Sequence, residues 1–113
     1  MYHVTFPPQS NRASWVFIGL ITDLADHPID ISGCTLVFSA HNLEGIGSLD
    51  ASTDNGKITI IDIGKFRWFF PLRDMQGLRP GTYDTGLTLM SADGEQTVQL
   101  SVGPLPIVDG IVP

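Results

Sequence analysis

Turn-forming clusters interrupt this 113-residue chain at short intervals: Pro7-Pro8, Asp26-His27-Pro28, Ser32-Gly33, Glu44-Gly45, Asp54-Asn55-Gly56, Gly64-Lys65, Arg79-Pro80-Gly81 and Ala92-Asp93-Gly94. Glycine supplies positive φ, proline fixes φ, and Asn or Asp bonds back to its own backbone, so each cluster turns the chain. The pieces between them are of strand length. None carries a sustained 3.6-residue apolar period with caps at both ends, so helix is limited to at most one turn between Pro71 and Leu78.

Period-two alternation predicts strands over residues 13–22, 34–41, 57–63, 66–70, 82–90 and 96–102, with a short closing strand over 106–108. Short antiparallel strands separated by regular turns specify an all-β chain, here an immunoglobulin-like antiparallel β-sandwich of about seven short strands. No composition shift, linker or repeat divides the chain, so residues 1–113 form one domain, with 1–12 and 104–113 as extended tails. The expected core is Trp15 or Val16, whichever faces inward, with Phe38, Ile60, Trp68, Tyr83, Leu87, Leu89, Val98 and Leu100.

The stretch Leu78-Arg79-Pro80-Gly81-Thr82-Tyr83 sharpens the fold class. Pro80 and Gly81 make a tight turn, and Tyr83 then enters a strand with its ring inward and its hydroxyl free to bond back to the backbone. That is the pattern of a tyrosine corner, so Leu78, Pro80, Gly81 and Tyr83 are expected to form one, followed by two strands joined at Ala92–Glu95.

Charge excludes one class of partner. The net charge is −6, and the six cations are scattered as Arg12, Lys57, Lys65, Arg67, Arg73 and Arg79, so no basic patch for nucleic acid or an anionic membrane is expected. No run of about 18 apolar residues exists to span a membrane. The N-terminus lacks a secretory leader, and the initiator Met is read as the product of a start codon. Cys34 is the single cysteine, which rules out a disulfide within the chain and fits synthesis in a reducing cytoplasm.

The residues that carry chemistry in other proteins form no constellation here. His3, His27 and His41 lack metal-site spacing, the Asp-rich segment 23–30 lacks the ordered ligands of an EF-hand, and Cys34 reads as a structural thiol. The expectation is therefore a non-enzyme with no catalytic, cofactor-binding or metal residues and no cofactor. Interaction surfaces are easier to find. The run Trp15–Ile21 is apolar on both faces, with Trp15, Phe17 and Ile21 on one and Val16, Ile18 and Leu20 on the other. Such a strand leaves an apolar face over for another chain. Phe69 joins that face if Trp68 points inward. The apolar C-terminal tail adds Ile107, Val108 and Ile111, completing the expected interface.

Three longer segments carry a family likeness: "ITDLADHPIDISGCTLVFSAH" (21–41), "GKITIIDIGKFRWFF" (56–70) and "LRPGTYDTGLTLMSADGEQTVQLSVGPLPIVDGIV" (78–112). In order and spacing the chain resembles a family of small immunoglobulin-like modules of tailed-phage virions, whose best-known member is the N-terminal domain of the siphophage baseplate upper protein. The likeness covers roughly residues 13–112. It implies a virion structural protein that joins other virion proteins, and copies of itself, within a multi-subunit assembly. The baseplate protein continues into further regions whereas this sequence ends at Pro113, so the expected role is an adaptor or stabilising module of tail, baseplate or neck rather than a receptor-binding protein. A capsid decoration protein of the same fold is the nearest alternative. A glycan-binding module is the alternative from another class, and it requires Trp68, Phe69 and Phe70 to form an open aromatic platform.

Overall fold

A computed structural model describes residues 2–42 and 47–109. The described residues form an all-β sandwich of two sheets with one short helix. Its strands are β1 (Tyr2–His3), β2 (Gln9–Ser10), β3 (Trp15–Leu20), β4 (Thr35–His41), β5 (Ser48–Ser52), β6 (Ile58–Asp62), β7 (Lys65–Phe70), β8 (Gly81–Met90) and β9 (Thr97–Val108). Helix α1 (Leu72–Gln76) is the single turn expected between Pro71 and Leu78. The larger sheet has the order β1-β9-β8-β4-β5, with β2 also on β9, and the smaller has the order β3-β7-β6.

Alternation decides what each sheet turns inward. Leu36, Phe38 and Ala40 of β4 lie beside Leu89, Leu87 and Thr85 of β8, while Leu49 and Ala51 of β5 flank them on the other side. The smaller sheet contributes Trp15, Ile58, Phe66, Trp68 and Phe70. Seven rings meet where the sheets face each other. Trp68 is sandwiched between Phe17 at 4.4 Å and Phe38 at 4.1 Å, both nearly parallel to it, and Phe6 closes the side with edge-on contacts to Trp15, Phe17 and Phe38. Stacks of this kind add about 0.5–1.5 kcal/mol beyond area burial. The buried Trp68 Nε1 has no hydrogen-bond acceptor among the described residues. The ring's packing offsets the cost of that bare donor.

The C-terminal stretch departs from its sequence reading. The expected closing strand over 106–108 is the end of β9, which runs unbroken from Thr97 to Val108, so 104–108 is no separate tail: Leu105 stands opposite Tyr83 and Ile107 opposite Gly81. Proline cannot donate to a strand ladder, yet Pro104 and Pro106 do not interrupt β9. Both sit at alternate positions whose bonding side faces the N-terminal segment, not β8. Val102, Pro104 and Val108 carbonyls accept from Val4, Phe6 and Asn11 N–H there, so the prolines' missing donors leave the β8 ladder intact. Residues 1–12 are likewise no free tail in their described part, because β1 and β2 both pair with β9 in parallel.

Val98 is the other correction. It was expected in the core and is 51% exposed. A bulge between Leu87 and Thr88 leaves Leu100 as the extra residue on β9, since Leu87 faces Ser101 while Thr88 faces Gln99. Beyond that bulge the β8–β9 hairpin outruns the smaller sheet. Val98 lies beside the partly buried Leu89, but nothing packs over it. Ile60, Leu89 and Leu100 pack against the core as partly buried side chains, and Phe38, Trp68, Tyr83 and Leu87 are fully within it.

Candidate functional site

The corner around Tyr83 is built from its sequence neighbours. Leu78 is buried, Gly81 sits at φ +150, and Tyr83 is fully buried. The Tyr83 hydroxyl donates to the Arg79 carbonyl at 2.9 Å, four residues upstream. The Asn11 side chain reaches the same turn, its Nδ2 donating to the Leu78 carbonyl at 3.1 Å. The turn therefore pins the segment that leads into β3. This cluster holds the fold together and is closed to ligands.

The candidate interface lies on the smaller sheet. In β3 the side chains of Val16, Ile18 and Leu20 point away from the core and are about half exposed. Phe69 of β7 stands directly beside Val16, Arg67 beside Ile18, and Lys65 beside Leu20. Thr59 of β6 continues the row from Arg67, and Ile61 adds a further exposed apolar side chain. Four of the residues singled out in the sequence thus share one face: Val16, Ile18, Leu20 and Phe69. Two others do not join it. Ile107 is 3% exposed, its side chain buried in the core by the continuation of β9, so it offers no surface. Val108 is exposed, but on the larger sheet. Ile111 lies outside the described residues.

This face carries charge among its apolar side chains: Lys65 and Arg67 on β7, with Asp62 of β6 across from Lys65. Lys65 and Arg67 are two of six cations in a molecule of net charge −6, and among the described residues neither has an ion-pair partner. Arg12 and Lys57 are by contrast paired with Asp109 and Asp74. The exposed apolar row can take up a matching surface, and the two basic heads on the central strand can receive carboxylates. Lys65, Arg67 and Ile61 were not singled out in the sequence. The alternation of "KFRWFF" could have found the two cations, since they flank Phe69 at period two.

Other polar groups are occupied locally. A shallow cleft of about 250 Å³ is lined by Ser48, Leu49, Asp50, Lys57, Phe70 and Asp74, and its two strongest charges, Lys57 and Asp74, bond each other. In the Asp-rich segment, Asp23 Oδ1 accepts from Ala25 and His27 N–H. Asp30 accepts from the backbone and then the hydroxyl of Ser32, which together hold its carboxyl below the usual value. Cys34 is partly buried against the core. Of the aromatic triplet Trp68–Phe70, only Phe69 reaches solvent, which leaves no open platform for a sugar ring. No protein-family model and no curated protein matches this chain.

Proposed function

We propose that this chain is a non-enzymatic structural module of a tailed-phage virion, an immunoglobulin-like adaptor or stabilising domain that docks on neighbouring subunits of tail, baseplate or neck. The observation that carries this reading is the outer face of the three-stranded sheet, where Val16, Ile18, Leu20 and Phe69 form an exposed apolar row interleaved with Lys65 and Arg67 of the central strand. Contiguous apolar surface on a small domain marks an interaction site. The Tyr83–Arg79 bond supports the immunoglobulin-like assignment.

The test is the protein content of gradient-purified particles from the source culture. The chain is expected in a fixed ratio to the major tail protein, and a Phe69→Asp variant is expected to fold yet be left out of the particle. A chain recovered only in the soluble fraction overturns the reading. Immunogold label on the head instead of the tail would convert it to capsid decoration.

A further inference from the structure

Each sheet of a sandwich ends in edge strands, and an unguarded edge is a template for another strand. Three of the four edges here are guarded. The N-terminal edge of the larger sheet consists of two-residue strands separated by Pro7 and Pro8. At the β5 edge, the turn at 53–56 folds back so that Asn55 Oδ1 accepts from Ser52 N–H and its Nδ2 donates to the Asp50 carbonyl. The β6 edge is interrupted by a bulge between Ile60 and Asp62 and carries the charge of Asp62. Strand β3, "WVFIGL", has no proline, no charge and no bulge.

Register fixes which of its backbone groups are free. Ile21 N–H donates to the Gly64 carbonyl, while Phe69 N–H points the other way, to the Lys57 carbonyl on the β6 side. Antiparallel pairs alternate between bonded and non-bonded. Phe17 and Gly19 therefore bond β7, and the N–H and C=O groups of Val16, Ile18 and Leu20 face the open edge. No other described segment bonds them. The loop after β3 leaves this edge clear, since Ile29 N–H bonds the Ile21 carbonyl beside Gly64, on the β7 side.

We infer that β3 pairs with β3 of a second copy, antiparallel about a two-fold axis through Ile18. In that register Val16 faces Leu20 of the other copy, Ile18 faces its own counterpart, and every free group on both edges finds a complementary one. A second copy is the occupant because the edge is self-complementary: its free residues are evenly spaced about a central one and carry no charge. Lys65 and Arg67 stand one strand back on each side, so like charges are not brought together across the axis. The product is a closed dimer with a continuous six-stranded sheet, in which the two apolar outer faces merge into one. Strand-edge interfaces are small, so the dimer is expected to form only at roughly micromolar concentration or above. This inference is independent of where the molecule docks.

Sedimentation equilibrium over a wide concentration range, joined to amide hydrogen exchange at the two ends of that range, is the test. A monomer–dimer equilibrium is expected, with the Val16, Ile18 and Leu20 amides becoming protected at high concentration and Phe17 and Gly19 protected throughout. Ile18→Lys, at an exposed position, is expected to keep the native circular dichroism spectrum and remain monomeric. Ile18→Pro supplies a second variant, because a proline is tolerated where the lost N–H faces an open edge; it too is expected to fold and stay monomeric. A monomer at every concentration, growth beyond the dimer, or a dimer in which those three amides stay unprotected overturns the inference.

Discussion

The two sheets share one core, yet their outward sides follow opposite rules. On the larger sheet the outer side is mostly hydroxyls and carboxylates: Ser39 and Ser48 both donate to Asp50, His41 lies nearby, and Asp84 stands opposite His41. That side is made for water. On the smaller sheet the same alternation places Val16, Ile18, Leu20 and Phe69 outward, with unpaired Lys65 and Arg67 among them. A strand that is apolar on both sides costs solubility when its outer side stays bare. The larger sheet thus turns a largely polar side to solvent, and the smaller one turns out a row of exposed apolar side chains.

The most severe way to break this comparison is to separate the two sheets. Trp68→Ala removes the ring that stacks on Phe17 within its own sheet and on Phe38 across the core. It is expected to cost about 3–5 kcal/mol in chemical denaturation, enough to leave much of the protein unfolded. A loss below about 1 kcal/mol would mean that the sheets are joined by something other than the aromatic cluster. Tyr83→Phe probes the larger sheet alone. Losing the bond to the Arg79 carbonyl is expected to lower stability by about 1–2 kcal/mol, and a neutral result would remove the corner as a stabilising element.

Smaller effects sharpen the contrast. Val98→Asp, on the overhanging hairpin, is expected to change stability by no more than about 0.5 kcal/mol. A variant that fails to fold would show that the hairpin end is covered after all. The least effect is expected from acid. Asp93 is held below the usual carboxylate value by the Ser91 hydroxyl and then by Glu95 N–H, as Asp30 is by Ser32. A depressed folded value means that these contacts contribute above the unfolded pKa of about 4 and are lost as pH falls through the folded one. An NMR titration should therefore show the Ser32 and Glu95 amides moving only at acid pH below 4. Movement centred at or above 4 would contradict the two hydrogen-bonded turns.

Much of this was legible from side-chain order. Alternation located β4, β7 and β8, and it put Val16, Ile18 and Leu20 on one face because a two-residue period is a local property. The signal failed where neighbours decide. Strand β5, "SLDAS", has little intrinsic strand preference and is held by β4 beside it. Alternation puts Val98 on the inward side, opposite Leu89, but does not reveal that nothing packs over that end of the hairpin. The expected closing strand over 106–108 exists, but its sequence does not show which side faces the core, so Ile107, read as surface in an apolar tail, is buried. Lys65 and Arg67 are visible in the sequence, but their place on the exposed face follows only once the strand beside them is known.

The parallel pairing of β1 and β2 with β9 bears on the molecule's birth. Tyr2 is paired to Ser101, about a hundred residues downstream, so β1 cannot find its place until β9 has been made. Strand β9 also brings Leu105 and Ile107 into the core. Contacts between such distant segments slow folding. During synthesis, the bare edge of β3 therefore stays exposed until β9 has emerged and the sandwich can close.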